Sequence, residues 1–237
     1  MEGKHKTKEQ LINELVEMRQ QIADLKELAA EHKRTEEALK HSLEKLRKAM
    51  GEIIQAMALT IEVRDPYTAG HQRRVANLAC AIAKEMGLSE EQINGIHIAA
   101  VIHDIGKISI PAEILSKPDR LTKDEIAMVK AHPRAGYEII RTIEFSWPVA
   151  QIVLQHHERI DGSGYPLGLK GEDILLEARI LAVADVVEAM SFHRPYRPAF
   201  DIKKILEEIS KNRGILYDTR AVDACLRLFV EQGFEFE

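Results

Sequence analysis

Residues 89–107 read SEEQINGIHIAAVIHDIGK, and this stretch decides the fold class. Ser89 followed by Gln92 forms a capping box that opens a helix. The helix runs toward His103 and delivers the adjacent pair His103-Asp104. An imidazole suits transition metals, and a carboxylate can bridge two of them.

Working outward, residues 71–86 carry Val75, Leu78, Ala79, Ile82 and Met86 on one 3.6-period face, with Gly87 as the stop signal. Thr122 with Glu125 caps another helix, and Pro133 fits the first turn of one over 133–143. Further helices are expected at 147–157, 174–190, 201–211 and 219–231. No alternating strand pattern of useful length occurs, so the fold is expected to be all-α.

Upstream the punctuation changes. None of the prolines precedes Pro66, and residues 1–60 hold eleven basic and eleven acidic side chains, so the net charge of -5 belongs to the remainder. One seam reads Leu11, Met18, Leu25, His32, Leu39, Leu46, Ile53; the second reads Leu15, Ile22, Ala29, Glu36, Leu43, Met50, Met57. Only His32 and Glu36 are polar, and they interrupt both seams at one level. A 3.5-residue period held this long implies a supercoil, hence a parallel homodimeric coiled coil through residues 8–57. A single helix packed on its own domain is the plainer alternative. The helix is expected to start at Thr7 or Lys8. The division is expected near residues 50–64, as a coiled-coil helix over 1–57 and a second domain over 58–237.

Composition narrows the function classes. The 237 residues include ten histidines but two distant cysteines, Cys80 and Cys225, which suits a reducing cytoplasm and no disulfide framework. A tightly bound metal would therefore be held by histidine and carboxylate. The net charge of -5 argues against general binding to a nucleic-acid polymer. No uninterrupted apolar run is long enough to span a membrane, and the charged N-terminus has no apolar signal region after it.

Within residues 71–185 lie His71, His103, Asp104, His132, His156, His157 and Asp185. Neighbours such as His156 and His157 diverge by about 100° on a helix, so both serve one site only where it wraps a helix end. Asp161-Gly162-Ser163-Gly164 ends that helix at the right place. Asp185 lies within an apolar run, where a buried carboxylate needs a partner. His5, His32, His41, His97 and His193 read as solvated or packed bystanders. Cys80 reads as a small core residue, and Trp147 as packing at a helix start beside Pro148.

His103-Asp104-Ile105-Gly106-Lys107 resembles the HD-x-G-K signature of the HD phosphohydrolase superfamily. His156-His157-Glu158, continuing to Gly164-Tyr165-Pro166, resembles the signature of its HD-GYP branch. Further matching segments are 65–71, 132–136 and 194–199, so the likeness covers roughly residues 58–232. It implies an HD-domain helical bundle and a metal-dependent phosphodiesterase of the bacterial second messenger cyclic di-GMP, forming pGpG and/or GMP. It also implies ligation of two divalent metals by the seven residues above; five nitrogens plus carboxylates suit iron, manganese or nickel more than magnesium, with iron or manganese preferred. Asp104 would bridge the pair, and a metal-bridging hydroxide would be the nucleophile.

Lys107, on nearly the same helical face as Asp104, is expected to meet a phosphate oxygen as charge develops. Gly164, Tyr165 and Pro166 would shape the substrate pocket, with Tyr165 either stacking on guanine or packing within its loop. Arg194 and Arg197 offer forks for phosphate or guanine, or form ordinary salt bridges. Two departures stand out. Tyr67 occupies the position where some family members carry a glutamate that helps hold a third metal. Glu188-Ala189-Met190 replaces the common Asp-Ala-Leu, which leaves a substrate contact at 188 in doubt. Competing expectations are a weakly catalytic signalling adaptor and an enzyme specific for cyclic GMP-AMP. No sensor domain is read in this sequence, so an input signal is expected from an upstream sensor or response-regulator partner, or from the helix itself.

Overall fold

The computed structural model describes residues 6–64, 69–193 and 198–236. Among the described residues ten α-helices follow one another: α1 (Lys8–Arg64), α2 (His71–Glu85), α3 (Glu90–Ile102), α4 (Ala112–Leu115), α5 (Lys123–Lys130), α6 (His132–Ile140), α7 (Val149–Gln155), α8 (Leu176–Ser191), α9 (Ile202–Lys211) and α10 (Thr219–Val230). Among the described residues there is no β-strand, and the fold is all-α. None of the described helices is long and apolar enough to cross a membrane.

The chain divides into two compact units, residues 1–52 and 53–237. In the first, Thr7 and Gln10 cap the start of α1 by reciprocal hydrogen bonds. Apart from Ala29, the apolar seam residues from Leu11 to Ile53 are 47–64% exposed. A single chain therefore leaves a long apolar stripe in water. Beyond Ile53 the pattern changes. Ile54, Met57, Ala58 and Ile61 recur at helical spacing and pack into the core of the second unit. Met57, the last residue of the second seam, thus faces that core.

The second unit is built around α2. Its Val75, Leu78, Ala79 and Ile82 have no exposed surface, and the helix packs most extensively on α3 and α8. Both capping boxes form as their spacing predicts, at Ser89/Gln92 and Thr122/Glu125. Trp147 does more than pack beside Pro148. Its indole lies against Gly95, where an added Cβ would fall 2.6 Å from Cγ, and its Nε1 donates to the buried Glu177 at 3.0 Å.

One local expectation is corrected. α3 ends at Ile102, and Asp104 leads into a 3-10 turn, Ile105–Ser109, rather than continuing the α-helix. The turn lies flush on the start of α6 because Gly106 has no side chain. In a 3-10 turn residues three apart eclipse one another, which stacks Lys107 directly over Asp104.

Candidate metal centre

Five helices bring seven side chains together. His71 opens α2, His103 follows α3, Asp104 precedes the 3-10 turn, His132 opens α6, His156 and His157 follow α7, and Asp185 lies within α8. All are buried except His157, which is partly exposed. They form two outer clusters, His71 with His103 and Asp185, and His132 with His156 and His157, and a third group, His103 with Asp104 and His156, that links them; within each group the candidate ligand atoms lie within 4.8 Å of one another.

Asp104 stands between the two outer clusters. Its Oδ2 is 3.6 Å from His103 Nε2 and 3.9 Å from His71 Nε2, and its Oδ1 is 3.3 Å from His132 Nε2. The two oxygens of one carboxylate thus face the two clusters. On the first side, Asp185 Oδ1 lies 3.3 Å from His71 Nε2.

The backbone sets the ring orientations. His103 Nδ1 lies 2.7 Å from the Ala100 carbonyl, His132 Nδ1 2.7 Å from that of Val129, and His156 Nδ1 2.6 Å from that of Val153. A carbonyl only accepts, so each Nδ1 is the donor and each Nε2 carries a lone pair inward. His132 Nε2 and His156 Nε2 consequently face each other at 3.2 Å. Burial lowers the His132 pKa to about 4. It also drives His156 well below the usual range, helped by the neighbouring histidines. Burial lowers His157 to about 3. Neutral rings whose lone pairs converge without a shared proton fit a cation, and the hydrogen-bonded far nitrogens are the usual support for metal-bound histidine.

The carboxylates complement them. Burial opposes ionisation of Asp104, but Lys107 and then His103, His132 and His71 hold its pKa well below the ordinary range. Lys107 Nζ is 2.8 Å from Asp104 Oδ2. Burial likewise opposes ionisation of Asp185, and His71 and His103 outweigh it. Burial alone would lower the His71 pKa, yet hydrogen bonds to Asp185 and Glu188 raise it to about 9.

The loop after His157 folds back on the cluster. The Tyr165 amide donates to the His157 carbonyl at 3.2 Å, and the two rings pack at a 34° tilt with centroids 4.7 Å apart. Lys130 Nζ lies 5.1 Å from the Tyr165 ring centre. Burial, with the Asp185 and Asp104 charges, pushes the Tyr165 pKa up. The Tyr165–Pro166 peptide is cis. Gly164 serves internal packing, since a Cβ there would fall 2.4 Å from the Arg159 nitrogen. Arg194, Arg197 and Tyr67 lie outside the described residues.

Two side chains that the sequence reading did not assign organise this region. Buried Glu158 accepts from the amides of Leu167 at 2.7 Å, Gly168 at 3.2 Å and Leu169 at 3.0 Å, which pins the loop. Glu188, doubted as a substrate contact, is fully buried and binds His71 Nδ1. Position within the His-His-Glu run was the only signal for the first. Nothing in the sequence pairs Glu188 with His71.

Fold and site together define a helical bundle with a buried, two-lobed cluster of imidazoles and carboxylates. The HD domain family model matches residues 55–221, and the chain belongs to that family. It is 43% identical to the cyclic di-GMP phosphodiesterase response regulator RpfG of Xanthomonas campestris, over 90% of this chain and 56% of that protein. It is 37% identical to the 3'3'-cGAMP-specific phosphodiesterase 3 of Vibrio cholerae, over 68% of this chain and 35% of that one. The chain therefore spans about half or less of these relatives' own length. Among solved structures it resembles Bd1817, an HDG"Y"P protein from Bdellovibrio bacteriovorus, with a TM-score of 0.56 at 20% identity, covering 67% of this chain and 51% of that one.

Proposed function

We propose that this chain is a metal-dependent phosphodiesterase that hydrolyses cyclic di-GMP to pGpG and GMP. The observation that carries the reading is the position of Asp104, one oxygen toward each histidine cluster. His71, His103 and Asp185 would hold one divalent cation, and His132, His156 and His157 the other, with Asp104 shared. Iron or manganese suits this nitrogen-rich donor set. Bound there, the metals would supply Lewis acidity and a water made acidic enough to react near neutral pH.

The protein's own groups do the rest. The convergent Nε2 lone pairs and two ionised carboxylates hold the cations. Lys107 holds a positive charge at the edge of the centre, where it can move from Asp104 to a phosphate oxygen. Gly164, Tyr165 and Pro166 wall the site, and Arg194 and Arg197 would contact the nucleotide. The relatives named for cyclic di-GMP support this substrate. A second reading, cyclic GMP-AMP, draws support from the relatives named for that dinucleotide.

Purified protein loaded anaerobically with Fe(II) or Mn(II) and mixed with each dinucleotide tests both. Linear product from cyclic di-GMP is expected, and bound metal without product from either would refute the enzyme. Lys107→Ala should keep its metal and lose about 10²–10³-fold in kcat, the usual effect of removing one group that stabilises developing charge. A full rate would remove Lys107 from the mechanism.

Residues 8–53, where the seam is exposed, would join two copies of the chain as a parallel coiled coil in the cytoplasm, with the catalytic domain following. An upstream sensor or response-regulator partner would act through the helix. The exposed apolar seam supports this, because burying such a stripe is the main drive to helix pairing. Removing residues 1–50 should convert a dimer into a monomer by light scattering. A dimer that survives the deletion would put the interface elsewhere.

A further inference from the structure

His71 differs from the other cluster histidines in how its outer nitrogen is held. His103, His132 and His156 each use a backbone carbonyl three residues earlier. His71 opens α2 after a turn at residues 69–70, and its Nδ1 meets a side chain, the Glu188 carboxylate. Glu188 lies one turn after Asp185 on α8, so two carboxylates of one helix grip the two nitrogens of one ring.

Glu188 has no exposed surface, and a buried carboxylate needs a cation. Arg74, one turn after His71 on α2, supplies it, with Nε at 2.8 Å and Nη2 at 2.6 Å from Glu188 Oε1. Arg74 is itself held. Phe192 covers its guanidinium at 3.8 Å from the ring centre, and Nη1 donates to the Ala69 carbonyl at 3.2 Å, in the turn that leads into His71. His71 and Arg74 on α2 thus face Asp185 and Glu188 on α8 in a closed square. Burial opposes ionisation of Glu188, and His71 and Arg74 together lower its pKa.

We propose that Glu188, held by Arg74, is a positioning residue that orients His71 and selectively strengthens the His71/His103/Asp185 half of the centre. The inference rests on the metal reading above and adds an asymmetry to it. A charged acceptor makes an imidazole a stronger donor to a metal than a neutral carbonyl does. Only a carboxylate can accept from His71 and Arg74 together, whereas an amide oxygen serves one of them and leaves the other facing an N–H.

The test uses the full chain titrated with Mn(II). Metal per chain is measured by elemental analysis and each affinity by chelator competition. Wild type should hold two ions. Glu188→Gln should retain one at wild-type affinity and weaken the other about 10–100-fold, the usual cost of removing such support. Glu188→Asp should restore the weakened ion. Adding Glu188→Gln to His71→Ala should cause no further loss, because both act on one ion.

Equal weakening of both ions would indicate general damage and overturn the proposal, as would unchanged affinity for both. If Glu188→Gln does not fold by circular dichroism, Arg74→Met, which removes the guanidinium contacts to Glu188, should weaken the same ion. Unchanged affinities there would also overturn the proposal. A wild-type chain that binds no Mn(II) would overturn the metal reading itself, a result distinct from loss of selectivity.

Discussion

Replacing Asp104 by alanine is expected to empty both halves of the centre and abolish turnover. The substitution removes Oδ2 from His71 and His103 and Oδ1 from His132. Each half keeps imidazoles, but the second keeps only a more distant carboxylate, Asp185 Oδ2 at 3.9 Å from His157 Nδ1. A cation held there mainly by neutral nitrogens would have its charge poorly compensated in a buried setting. Lys107 loses its 2.8 Å contact with Asp104, so its positive charge is less compensated at the same place. Both effects oppose metal binding.

Loss of the Lewis acid removes several kcal/mol of transition-state stabilisation, so kcat should fall by more than about 10³-fold. Asp104→Asn separates charge from shape, because it keeps one oxygen but loses the negative charge. It should bind less metal than wild type and more than alanine. Elemental analysis of chains purified with Mn(II), alongside circular dichroism, checks the result. A folded Asp104→Ala protein with two ions per chain would show that Asp104 does not bridge.

Much of this centre was legible in the sequence, for a chemical reason. Metal-binding side chains are few in kind and are placed where backbone punctuation permits. His103-Asp104, and His156-His157 before a glycine-rich turn, are recognisable without a structure. The helices were legible through their caps, since Ser89 with Gln92 and Thr122 with Glu125 form local bonds that need no tertiary context. What escaped depends on two distant elements meeting. Glu188 and Arg74 are 114 residues apart, and their bond exists only because α2 and α8 pack together. Glu177, which binds Trp147 and Gln92, is hidden for the same reason. Lys107 falls between these cases. Its nearness to Asp104 followed from spacing, while the 3-10 geometry that brings it there followed from contact with α6.

That contact makes Gly106 the second position where a small change should have a large effect. A Cβ at residue 106 would lie 1.9 Å from the His132 carbonyl oxygen and 2.5 Å from the Gly136 nitrogen. Both are backbone atoms and cannot swing aside as a side-chain end could. Gly106→Ala therefore forces the 3-10 turn away from α6. Overpacking of this kind costs about 3 kcal/mol at the upper end of its usual range. For a chain of this size that lowers Tm by roughly 6–12 °C.

The displacement falls between Asp104, which precedes the turn, and His132, which opens α6. Their 3.3 Å approach joins the two clusters. The variant should thus lose metal and turnover even at temperatures where it remains folded. Gly51→Ala is the control. It lies within α1 with nothing near its added Cβ, and it should stabilise the helix by about 1 kcal/mol. Thermal melts without metal, paired with Mn(II) counts per chain at 15 °C, separate the two effects. A Gly106→Ala protein that melts like wild type and keeps both ions would mean that the turn and α6 do not meet as described.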